Sequence, residues 1–121
     1  MIIESLPYAF SICKLENDTT PTVFPDFFFL AKTNEEVSLV CRTEEVPKST
    51  TAREDGWRGF RIAGVLDFSL IGILAQITAA LAEAKIGLFA VSTYNTDYVF
   101  VRARDLQPAL AALKEKGFDL G

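Results

Sequence analysis

The hydrophobic period of the second half of the chain changes several times, and that changing period constrains the fold more than any other feature. Phe60 to Leu66 is a short apolar run of strand character. Leu70, Leu74, Ile77 and Leu81 then recur at spacings of four, three and four, which puts them on one stripe of a helix reaching to about Ala84. Asp67 or Ser69 is placed to cap that helix. Ile86 to Thr93 is rich in β-formers, Asn95-Thr96 reads as a hairpin turn, and Tyr98 to Arg104 alternates as the return strand. Asp105 is expected to cap a second helix with the stripe Leu106, Leu110 and Leu113, stopped by Gly117. Phe118 to Leu120 remains for a last short strand.

The first half reads mostly as sheet. Residues from Tyr8 to Glu16 alternate, with Tyr8, Phe10 and Ile12 opposite Ala9, Ser11 and Cys13. Asn17 to Thr22 breaks the pattern, and Pro21 and Pro25 forbid a long helix in the segment that follows. Phe27 to Lys32 reads as a buried strand, Thr33-Asn34 as a tight turn, and Glu36 to Arg42 as the antiparallel partner with Val37, Leu39 and Cys41 inward. From Thr43 to Gly59 the composition turns polar, the character of a connector. The boundary is therefore expected after Gly59, giving regions 1–59 and 60–121. The order β, α, β, β, α, β in the second region is the split βαβ arrangement of an α+β, ferredoxin-like domain, with both helices on one sheet face. The first region fits a clipped version of the same unit with its helices shortened.

Composition bounds the function. The chain has 121 residues, half of them hydrophobic and 23% charged, enough for a real core. Its net charge is −4 and it has no run of Lys or Arg, so no surface neutralises a phosphate backbone and nucleic acid is excluded as a partner. Apolar stretches are interrupted within about 10 residues, against the ~20 that span a bilayer, and Glu4 stands where a signal peptide carries positive charge. The expectation is a cytoplasmic protein with no membrane partner. There is no histidine, which removes the commonest general base, nucleophile activator and metal ligand together. Cys13 and Cys41 lie in separate strand-like runs and read as packing thiols, neither a zinc framework nor a disulfide. No nucleotide-binding, zincin or hydrolase motif occurs, and Glu35-Glu36 and Glu44-Glu45 point to opposite strand faces. No catalytic residues, metal or cofactor are expected.

Two segments carry a resemblance to a known family. The segment from Gly64 to Ile77, and above all the run Ser92-Thr-Tyr-Asn-Thr-Asp-Tyr98 within the stretch Ile86 to Val101, resemble the ACT domain. The likeness is to small bacterial proteins with paired ACT units, similar to the ACT modules of aspartokinases and of CASTOR-type arginine sensors. It extends more loosely to Tyr8 to Leu15, Glu36 to Cys41 and Gly56-Trp57. The resemblance implies two ACT-like lobes, the first truncated, and regulatory binding of an amino acid or similar small molecule at an interface between ACT units, without chemistry. Ile71, Gly72 and Ile73 at the first turn of the first helix would offer free amides to a carboxylate. Asp97 would pair with an ammonium or guanidinium group, and Ser92, Thr93 and Thr96 would supply hydroxyls.

Structural roles stand beside these. Gly72 also suits close packing, Asp97 also suits a turn, and Ser92 and Thr93 face opposite ways in a strand, so one of them at most points to any given pocket. Trp57 reads as a cap on the core. A homodimer is expected, because Tyr98 and Phe100 lie opposite Val99 and Val101 and one helix layer covers only one face. The alternative to a sensor is a ligand-free ACT-fold assembly module with an unidentified protein partner.

Overall fold

The computed structural model describes residues 1–16, 25–63 and 72–121. Within them run β1 (Ile2–Leu15), β2 (Phe28–Lys32), β3 (Val37–Arg42), β4 (Thr50–Ile62), α1 (Ile73–Glu83), β5 (Leu88–Ser92), β6 (Asp97–Arg102), α2 (Leu106–Glu115) and β7 (Asp119–Leu120). Single 3-10 turns lie at Thr43–Glu45 and Ala103–Asp105. The chain divides into a terminal unit, Met1–Pro7 with Arg58–Gly121, and a central unit, Tyr8–Trp57. β1 and β4 each contribute one stretch to either unit.

The terminal unit has the expected α+β architecture. The end of β4 followed by α1, β5, β6, α2 and β7 supplies βαββαβ, and β4 is flanked by β6, which in turn pairs with β5. An additional strand enters from the amino terminus. Ile2 and Ile3 of β1 pair in parallel with Asp119 and Leu120 of β7, and the Ala63 amide donates to the Ile2 carbonyl on the other side at 2.9 Å. The core forms where Phe60, Ile62, Val99 and Val101 of the strands meet Ile77, Ala80 and Leu81 of α1 and Leu106, Ala109, Leu110 and Leu113 of α2. Burying side chains of this size contributes roughly 1.5–3 kcal/mol each, so the two stripes hold the helices on the sheet.

Both helices end in the same way. Lys85 (φ 60°) and Gly117 (φ 95°) adopt the left-handed conformation, and the next amides, Ile86 and Phe118, donate to Leu81 and Leu113. These bonds satisfy carbonyls that the helix leaves free. At the start of α2, Asp105 occupies the capping position but its side chain makes no capping bond, which corrects the expected role. The proposed caps of the first helix, Asp67 and Ser69, lie outside the described residues. Within those residues α1 starts at Ile73, preceded by Gly72 in the left-handed conformation.

The central unit orders its strands β2, β3, β1, β4. β3 pairs antiparallel with both neighbours, Leu15↔Val37 to Phe10↔Arg42 on one side and Lys32↔Val37 to Phe28↔Cys41 on the other. Val37, Leu39 and Cys41 face inward as their alternation requires, packing with Cys13, Leu15, Phe28 and Val46. Cys13 and Cys41 are both buried and carry free thiols. Cys13 donates to the Leu39 carbonyl at 3.4 Å, and the Cys41 thiol is pushed up by its hydrogen bond with Cys13 and by burial. No α-helix occurs in this unit among the described residues.

Several elements differ from the sequence reading, among them the β5–β6 turn, which spans residues 93–96 rather than Asn95-Thr96 because the ladder ends at Ser92↔Asp97. The polar segment after Thr43 holds a 3-10 turn and then, from Thr50, the thirteen-residue strand β4 rather than a connector. Of the apolar strand expected over Phe60 to Leu66, Phe60 to Ile62 are the end of β4, and residues 64–66 lie outside the described residues. β1 begins at Ile2, well before Tyr8. β2 is an edge strand, half-buried at Phe28 and Phe29 and exposed from Leu30 onward, because it has β3 as neighbour on one side only.

Candidate ligand site

At one end of the terminal unit the β5–β6 hairpin turns through residues 93–96. Ser92 and Asp97 form the last pair of the ladder. Antiparallel pairing puts their side chains on the same face, and the Ser92 hydroxyl donates to Asp97 Oδ1 at 2.6 Å. The carboxylate is thereby oriented in a solvent-exposed bond, on a residue that is half-buried as a whole. The Thr93 amide donates to the Thr96 carbonyl at 2.9 Å, and the Thr93 hydroxyl bonds to both the carbonyl and the amide of Thr96. Thr93 therefore closes the turn.

Thr96 does something else. It is only 5% exposed, and its hydroxyl donates to the Ile62 carbonyl at 2.8 Å. That bond fixes the hairpin turn to the carboxyl end of β4, at the end of the unit where the chain departs towards α1. Its single proton is committed to the protein.

The other residues expected at the site belong to the start of α1. The Gln76 amide donates to the Gly72 carbonyl at 2.8 Å, so the first intrahelical bond is in place and the amides of the first turn lie ahead of the ladder. Gly72 has φ +84°, a conformation that side chains rarely adopt, and a Cβ built there meets nothing within 4 Å. Its glycine character follows from the backbone angle rather than from crowding. Ile73 turns its side chain to the core. Ile71 lies outside the described residues. Ser92, Thr93, Thr96 and Asp97 are thus brought together on one turn, with Gly72 and Ile73 opening the helix that follows β4.

Two features escaped the sequence reading. Tyr94 stands 82% exposed in the same turn; its place inside the Ser92 to Tyr98 run was the available signal. In the central unit Ser11 is fully buried and donates to Asp55 Oδ1 at 2.5 Å, with Thr43 Oγ1 2.9 Å away and Arg53 Nε donating to Asp55 at 3.0 Å. The Ser11 hydrogen bond and the Arg53 guanidinium hold the Asp55 carboxyl below the usual carboxylate range. The signal there was a serine at an inward position beside Cys13. Among the described residues no group of three or more His, Cys, Asp or Glu side chains is arranged to hold a metal ion, and no helix is long and apolar enough to cross a membrane.

Residues 52–115 match the model of the ACT domain. The chain belongs to the ACT domain family. It is 34% identical over 73 residues to cytosolic arginine sensor for mTORC1 subunit 1 of Bos taurus, a match that takes in 60% of this chain and 22% of that protein. The chain thus spans about a fifth of that relative's length. Among solved structures, protein Atu0741 of Agrobacterium tumefaciens is similar with a TM-score of 0.88 and 27% identity, covering 99% of this chain and 91% of that one. The ligand-free regulatory subunit of aspartate kinase from Thermus thermophilus superposes with a TM-score of 0.67 over 93% of this chain and 95% of that one; at 10% identity it speaks for the fold alone. The ACT fold expected from the Ser92 to Tyr98 run is therefore present.

Proposed function

We propose that this ACT protein is a non-catalytic regulatory module that binds a free amino acid at the Ser92–Asp97 end of its terminal unit. The observation that carries the reading is Asp97, a half-buried residue whose carboxylate is oriented by Ser92 on the turn that Thr96 ties to β4. An ammonium or guanidinium group is the natural partner of such a carboxylate, and the first-turn amides of α1 that begin at Gly72 and Ile73 suit the ligand's α-carboxylate. Likeness to a protein named as an arginine sensor favours a basic amino acid. Binding between the terminal units of two chains, in a cytoplasmic homodimer, completes the proposal, and the ligand would act by changing that association.

Calorimetric titration with the twenty common amino acids tests it. A basic amino acid is expected to bind, and Asp97→Ala to weaken it about ten- to a hundredfold, about 1.4–2.7 kcal/mol, the range for a carboxylate partly open to solvent. Unchanged binding removes Asp97 from the site. Absence of binding by all twenty leaves the fold as a ligand-free assembly module, the reading favoured by a central unit with no α-helix among its described residues.

A further inference from the structure

The β2–β3 hairpin of the central unit and the β5–β6 hairpin of the terminal unit repeat one another at a constant offset of sixty residues. The pairs Phe28↔Cys41, Leu30↔Leu39 and Lys32↔Val37 return as Leu88↔Val101, Ala90↔Val99 and Ser92↔Asp97. Each hairpin runs into a 3-10 turn through nearly the same backbone, Arg42 at φ −60°, ψ 139° and Arg102 at φ −58°, ψ 144°. Each loop is closed by the same bond, Thr33 amide to Glu36 carbonyl and Thr93 amide to Thr96 carbonyl, both 2.9 Å.

Such a repeat separates what the turn needs from what the site needs. Threonine stands first in both loops, and in both its hydroxyl bonds to backbone within the loop. It belongs to the scaffold. The other polar positions are not repeated. Lys32 replaces Ser92, Glu36 replaces Thr96, and Val37 replaces Asp97. Val37 is 1% exposed and packs in the apolar cluster with Leu15 and Leu39, where a carboxylate would be stripped of water without a partner. Glu36 is exposed and accepts from Ser38 two residues further along the chain, so it makes no tie comparable to the bond from Thr96 to Ile62.

We infer that the duplicated scaffold carries a single site, so that each chain contributes to the binding of at most one amino acid and the central unit binds none. This rests on the reading of Asp97 as the ligand's anchor. The test is equilibrium dialysis of the full chain with L-arginine and L-lysine, carried to saturation. Binding should level off at no more than one molecule per chain, and Asp97→Ala should weaken all of it at least about tenfold, with no fraction left at the original affinity. The double variant Lys32→Ser, Glu36→Thr should keep its Kd within about twofold. Two molecules per chain, a full-affinity fraction surviving in Asp97→Ala, or loss of binding in the Lys32/Glu36 variant overturns the inference while leaving amino-acid binding intact. No binding of either amino acid by the unaltered chain overturns the functional reading and the inference together.

Discussion

Thr96 joins a turn to a strand 34 positions earlier in the chain through one hydroxyl. Replacing it with valine keeps the shape and deletes the donor, leaving the Ile62 carbonyl without that bond. Thr96→Val is expected to lower stability by about 1–2 kcal/mol in urea unfolding, and Thr96→Ser to recover most of it. If valine behaved like threonine, the bond would have no energetic role. Asp55 gives a prediction in pH. Its carboxyl is held below its ordinary value, near 3.9 in unfolded chains, so the interaction stabilises the native state above about pH 4 and is lost as pH falls through the depressed native value. The stability gap between the unaltered chain and Asp55→Asn should therefore be present at neutral pH and close in the acid range below pH 4. A gap independent of pH would mean that the charge of Asp55 contributes nothing. Ser92 and Asp97 were legible as members of one hairpin, although a turn at Asn95-Thr96 sets Ser92 opposite Val99 and it is the longer loop of residues 93–96 that sets it opposite Asp97. The Thr96 bond was not, since no local pattern relates it to Ile62.

Among the elements, those that bury a periodic face declared themselves and those held by backbone pairing did not. Ile77 and Leu81, with Leu106, Leu110 and Leu113, are buried because the helical period brings them to one side, and their spacing was sufficient to find both helices. The first half of β4 carries Thr51 to Gly56 exposed in succession, so its ladder hydrogen bonds leave no alternation to read. The start of β1 hides for another reason: its buried residues Ile3 and Leu6 stand three apart, and Pro7 follows. β4 also holds a close approach, for a Cβ on Gly59 would stand 2.8 Å from Phe100 Cε1 and 3.3 Å from Leu6 Cδ1. Phe100 is fully buried and stacked on Phe89 at 4.8 Å, which limits its retreat. Gly59→Ala is expected to cost about 1–3 kcal/mol, measured by thermal unfolding, with Phe100→Leu partly compensating in the double variant. Additive losses would show that the ring is not what the methyl meets.

For the molecule as a whole, sedimentation at micromolar and higher concentrations is expected to show a dimer, and a monomer throughout that range would remove self-association from the proposed mechanism. Exhaustive chelation should leave the melting temperature unchanged, and a marked drop would mean that Cys13 and Cys41 serve a metal rather than the core. The strand inserted from the amino terminus bears on folding kinetics. Ile2 and Ile3 pair with Asp119 and Leu120, so the terminal unit closes its sheet only by joining residues almost a full chain length apart, whereas the ladders of the central unit join residues within Tyr8–Trp57. Long closures are slow to find even where their equilibrium cost is small. During synthesis the stretch of β1 that belongs to the terminal unit emerges before the central unit and must wait for β7, while the central unit has every strand it needs long before then; the ribosome therefore delivers the nested unit ahead of the one whose sequence brackets it.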